Sequence, residues 1–150
     1  MLHLLRDLFA SLERHEVKYL VIGGIATVLH GVPRATFDLD ILIEASHENA
    51  ARLLQAMQAA GLGTAADITP EELLANEITI FMDRIRVDVQ TLTPGVSFDL
   101  SWPRREDMSY RKQTIHVLSR QDLIASKKAA GRSVDLQDVE QLERGSDALS

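Results

Sequence analysis

The chain alternates between two hydrophobic rhythms, one of three to four residues and one of two. Leu2, Leu4, Leu5, Leu8, Phe9 and Leu12 recur at helical spacing and predict an amphipathic helix over residues 2–15. Tyr19, Leu20, Val21 and Ile22 form a continuous apolar run, which predicts a buried strand over 17–22. Gly23 and Gly24 follow, then a short helix over 24–30 that Gly31 and Pro33 close. A second strand is expected over 37–43. There the rhythm is two, so Asp38 and Asp40 share one face while Leu39, Ile41 and Ile43 share the other. Ser46 is placed to cap a third helix with Leu53, Leu54 and Met57 as its apolar stripe, ending near Gly61 and Gly63. Thr69-Pro70-Glu71-Glu72 combines a capping box with a proline at the first helical position, and predicts a helix over 70–76.

Residues 77–82 and 85–91 read as an antiparallel hairpin turning at Asp83-Arg84, although the turn lacks a glycine. In its second strand Ile85, Val87 and Val89 face one way and Arg86, Asp88 and Gln90 the other. Pro94, Gly95 and Pro103 predict a long loop over 93–113, pinned to the body by Phe98, Leu100 and Trp102. A last strand is expected over 114–118. Ser119 then caps a helix to Ala130, Gly131 breaks it, a final helix covers 135–143, and the tail from Gly145 is expected to fray. The expected fold is α/β (or α+β), with a mixed, twisted sheet of about five strands and flanking helices. Helices are expected on one face and the aspartates along an open edge.

A length of 150 residues suits one domain. The net charge of -6 argues against a general grip on nucleic acid and leaves room for a local basic patch. The absence of cysteine excludes disulfides and thiolate metal sites. No apolar run reaches membrane-spanning length and none reads as a secretory segment, so the expected compartment is the cytoplasm, with no membrane partner.

Asp38, Asp40 and Asp88 carry the candidate chemistry. Each lies in an otherwise apolar strand, where an unpartnered carboxylate is costly. If their strands are neighbours, three carboxylates converge, a donor set suited to magnesium. Two such ions can clamp the attacking and leaving oxygens of a phosphoryl transfer, and Asp88 is a candidate general base. The plainer alternative pairs Asp38 with Arg34 and leaves Asp88 in solvent beside Arg86. Gly23 and Gly24, between strand and helix, would let a phosphate approach the backbone, or simply make a tight turn. Arg34 is placed to bind a phosphate bidentately, and Thr36 to orient Asp38. A second polar set comprises Lys127, Lys128, Arg132, Asp135 and Asp138. Both lysines sit where a helix end favours cations anyway, and Arg132 has Asp135 or Asp138 as partner. His3, His15, His30, His47 and His116 show no ligand spacing.

Gly23-Gly24, Asp38-Leu39-Asp40 and Val87-Asp88-Val89 resemble the nucleotidyltransferase superfamily that includes DNA polymerase beta. Arg34, Thr36 and the late run from Asp122 to Asp138 are most similar to small bacterial proteins related to the toxin component of abortive-infection systems. The resemblance implies that Asp38, Asp40 and Asp88 bind Mg2+, with Asp88 as base. It implies that Gly23 and Gly24 cradle a triphosphate and that Lys127 contacts its phosphates. Gly24 stands where the wider superfamily has serine. The implied function is magnesium-dependent transfer of a nucleotide from a nucleoside triphosphate to a hydroxyl of an RNA, protein or small-molecule acceptor. One rival is a noncatalytic nucleotide- or protein-binding regulatory module, as in a toxin–antitoxin pair. Another is a metal-dependent phosphohydrolase.

Overall fold

The structure, a computed structural model, describes residues 2–36 and 38–149. In chain order the elements are α1 (Leu2–Arg14), β1 (Tyr19–Ile22), α2 (Gly23–Leu29), β2 (Leu39–Ile43), α3 (His47–Ala59) and α4 (Pro70–Ala75). They continue as β3 (Ile78–Met82), β4 (Arg86–Gln90), α5 (Phe98–Ser101), β5 (Glu106–Tyr110), β6 (Gln113–Val117), α6 (Arg120–Ala130) and α7 (Ser133–Leu149). The strands form one mixed six-stranded sheet in the order β3-β4-β2-β1-β6-β5. β2 runs antiparallel to β1 and parallel to β4, so the second strand bridges the two halves of the sheet.

Side-chain alternation decides which face each residue serves. Tyr19 packs on Phe9 of α1 with ring centroids 6.1 Å apart, which puts the odd-numbered residues of β1 under α1. Ladder partners share a face, so Ile41, Leu39, Val87 and Val89 lie on that side too. All are buried, and each such side chain contributes roughly 1.5–3 kcal/mol. The Ser11 hydroxyl donates to the Ala56 carbonyl at 2.6 Å and ties α1 to α3. The caps form as their sequence predicts. Ser46 accepts from the Asn49 N–H, Thr69 and Glu72 close a capping box, Ser119 accepts from the Asp122 N–H, and Gly131 ends α6 at φ 68°.

The largest difference from expectation lies in 93–113. That stretch holds α5 and β5, and β5 pairs with β6 as a hairpin. β5 reads Glu-Asp-Met-Ser-Tyr and only half-buries Met108 and Tyr110. As an edge strand it needs little apolar content, so its pattern is faint. Its turn puts Arg111 and Lys112 at φ 48° and 68°, a conformation normally announced by Asn-Gly. The sheet therefore has six strands where about five were expected. α7 also continues past Gly145 to Leu149, where fraying was expected. Arg120 holds that region, donating to the Leu142 carbonyl at 2.9 Å, and its guanidinium fills the space beside Gly145. Phe37, placed by its sequence in the second strand, lies outside the described residues.

Helices cover the α1/α3 face, while α2 and α6 serve the other face near β1. Over β3 and β4 that second face stays open, and Ile78, Ile80 and Met82 are 51%, 51% and 66% exposed there. Among the described residues no helix is long and apolar enough to cross a membrane.

Candidate functional site

β2 and β4 align so that Asp40 is the ladder partner of Asp88. The alternation that buries Leu39, Ile41, Val87 and Val89 turns both aspartates to the open face. Asp38, just before β2, joins them at a cavity of about 510 Å³. Gly23, Gly24, Arg34, Thr36 and Lys127 line the same cavity, so every residue singled out in the sequence for metal or nucleotide binding borders one cleft.

The carboxylates are strongly coupled. Burial, then the charge and hydrogen bond of Asp88, then the charge of Asp38 push the Asp40 pKa up to about 7. Arg86 opposes this shift. Its Nε donates to Asp88 Oδ1 at 2.9 Å and its Nη2 to Oδ2 at 3.2 Å. The same Nε lies 3.7 Å from Asp38 Oδ2. The plainer sequence alternative is thus half met: Asp88 does pair with Arg86, but its side chain is only 14% exposed. Arg34 pairs with Asp138 at 2.5 Å rather than with Asp38.

The glycine turn fits around these groups. Gly23 sits at φ 68°, and a Cβ there would lie 2.5 Å from Asp40 Oδ2. A Cβ on Gly24 would lie 2.6 Å from Thr36 Oγ1. A side chain at position 24 would therefore require the Thr36 hydroxyl to move.

A cationic wall faces the carboxylates. Lys127 is 5% exposed, far from the solvated helix end that its position alone would suggest. Its Nζ donates to Asp138 Oδ2 at 2.9 Å and lies 3.8 Å from Asp135. Arg132 holds Asp135 with two hydrogen bonds of 2.7 and 3.1 Å. Burial works to raise the Asp135 pKa, yet Arg132 and Lys127 together hold it below its usual value. Lys128 instead points outward and pairs with Glu143 at 3.1 Å. His30 is buried against the Leu118 carbonyl at 2.8 Å, and Trp102 packs between Phe98 and His116 under Arg105. Both serve the framework.

Arg86 shares the cleft-facing side of β4 with Asp88, and the sequence signal for this is the period of two that links them. As the side chains lie, no three His, Asp or Glu among the described residues converge on a cation position. By donor chemistry the set nonetheless fits magnesium: hard carboxylate oxygens, two of them on ladder partners of adjacent parallel strands.

A mixed sheet with a glycine turn after its first strand and aspartates on two adjacent parallel strands defines a nucleotidyltransferase-type fold. The chain belongs to the family described as "Nucleotidyltransferase of unknown function (DUF6036)", whose profile matches residues 2–143. A crystal structure of a candidate nucleotidyltransferase from Thermotoga maritima is similar at 19% identity and TM-score 0.57, covering 99% of this chain and 91% of that one. An antigenic nucleotidyltransferase-like protein from Paracoccidioides brasiliensis is similar at 17% identity and TM-score 0.55, covering 90% of this chain and 71% of that one. At these identities the likeness is one of fold. No curated protein matches the chain.

Proposed function

We propose that the protein transfers a nucleotide from a nucleoside triphosphate to an acceptor hydroxyl, with magnesium as its metal. The observation that supports this best is the register of Asp40 with Asp88 inside a cleft that also holds Gly23, Gly24, Lys127 and Arg132. Asp38, Asp40 and Asp88 would hold the metal, which when bound supplies charge neutralisation and alignment at the phosphates. Asp88 is the acceptor hydroxyl's base: it takes the proton as that oxygen bonds to the α-phosphorus and the bond to pyrophosphate breaks. Gly23 and Gly24 leave the backbone open to phosphate oxygens, and the Thr36 hydroxyl offers a donor at the same turn. Lys127 and Arg132 offset the charge on the leaving group. RNA, protein and small-molecule acceptors are all compatible with the open side of the cleft.

One feature favours a second reading, a noncatalytic nucleotide- or protein-binding regulatory module such as a toxin–antitoxin partner. Arg86 already neutralises Asp88, and Arg34 and Lys127 both pair with Asp138. Incubation with each α-labelled triphosphate, magnesium and RNA, protein or small-molecule acceptors separates the two. Transfer is expected from the parent and not from Asp40→Asn or Asp88→Asn. Nucleotide binding without turnover under every condition would establish the regulatory reading instead.

A further inference from the structure

Arg86 contacts two of the carboxylates that the proposed chemistry assigns to a metal ion. Its guanidinium grips Asp88 with bonds of 2.9 and 3.2 Å and lies 3.7 Å from Asp38. This one protein charge thus holds Asp88 and lies near Asp38, and Asp40 sits beside Asp88 as its ladder partner. The arrangement follows from the strand itself. Arg86 and Asp88 are two residues apart on β4, so the pleat presents both to the cleft. Bidentate arginine–carboxylate pairs combine charge with matched geometry, and they are among the stronger ion pairs. A divalent ion entering the cluster would meet a fixed positive charge and would have to take Asp88 from it.

We propose that Arg86 is a resident counter-cation that holds free metal out of the site, and that a triphosphate admits the metal by giving the guanidinium another anion. Arg86 is then a positioning residue with two stations, Asp88 without nucleotide and a phosphate oxygen with it. Its side chain is 39% exposed, and its ladder partner Met82 is exposed as well, so the path between stations is open. Metal and nucleotide consequently bind with positive coupling, each raising the other's affinity. The inference rests on reading Asp38, Asp40 and Asp88 as metal ligands.

The test is titration of the full chain with Mn2+ alone, followed by the electron paramagnetic resonance of the free ion. Arg86→Met removes the charge and keeps the stem. A hydrogen bond to a charged group is worth about 1.5–3 kcal/mol, so this variant should bind Mn2+ about ten- to a hundredfold more tightly than the parent. Arg86→Lys, which keeps the charge and loses the fork, should fall between them, and it carries the test if Arg86→Met does not melt cooperatively. A nonhydrolysable triphosphate should tighten Mn2+ binding in the parent and do so much less in Arg86→Met. Mn2+ binding that Asp40→Asn abolishes but that neither Arg86 variant strengthens would overturn this inference alone. No Mn2+ binding by the parent or any variant, with or without the triphosphate, would overturn the metal reading and the inference together.

Discussion

Asp40 is a carboxylate whose neighbours work against its charge. With its pKa raised from 3.8 to about 7, the folded protein binds a proton there that the unfolded chain has released. This contribution to stability is fully present below the unfolded value and is lost as pH rises through about 7, an effect on the order of a few kcal/mol. Metal-free protein should therefore unfold at lower urea concentration at about pH 8 than at about pH 5. Asp40→Asn should flatten that dependence and be more stable than the parent at the higher pH, since the amide carries no charge to bury or to repel Asp88 and Asp38. Equilibrium urea curves of both proteins at the two pH values check this. Asp38, Asp40 and Asp88 were legible in the sequence because a charge inside an apolar strand is anomalous wherever it falls. The pairing of Arg132 with Asp135, three residues on, was legible as well, but the partner of Arg34 was not. Nothing local tells that Arg34 reaches Asp138, 104 residues away, because only the packed fold brings them together.

Helices α6 and α7 owe their pairing partly to buried charge. Asp138 accepts from both Lys127 and Arg34, and Lys127 is nearly enclosed. Removing one partner of a buried ionic group costs about 3–5 kcal/mol, because the remaining charge is stranded. Asp138→Ala should lower stability by roughly that amount, read as a shift in urea midpoint, and Lys127→Met in the same background should recover part of it. The β5–β6 hairpin makes the opposite case. Arg111 and Lys112 both carry positive φ with side chains poorly suited to it. Arg111→Asn with Lys112→Gly should stabilise the protein by about 0.5–1 kcal/mol, measured by thermal melting. The same unfavourable turn explains why this hairpin was invisible in the sequence. The expected helix starts at Ser46, Thr69 and Ser119 all formed, because a cap is a local contract between a side chain and a backbone N–H three residues on.

At the scale of the molecule, the cleft is an acidic row on a sheet set against a basic cluster, Lys127 of α6 with Arg34 and Arg132 from the connections, that is ion-paired to Asp135 and Asp138 of α7. Its acidic half follows from strand periodicity. Its basic half depends on where α6 and α7 dock: the family resemblance set Lys127 near phosphates, but its local pattern offered only a position at a helix end. The open face leads to one more consequence. β3 ends the sheet, so among the described residues no strand pairs with its outer edge, and it carries Ile78, Ile80 and Met82 on its exposed side. The opposite rim, β5, begins instead with Glu106 and Asp107, whose charges discourage pairing. Concentrated solutions should accordingly show one-ended stickiness, with light scattering that climbs with protein concentration. Ile78→Thr with Met82→Thr keeps strand-forming character at the first position and thins the apolar strip at both, so scattering should fall at equal concentration while the melting temperature stays close to the parent's. The colloidal behaviour of the protein, and how long it survives in a tube, is decided at that rim.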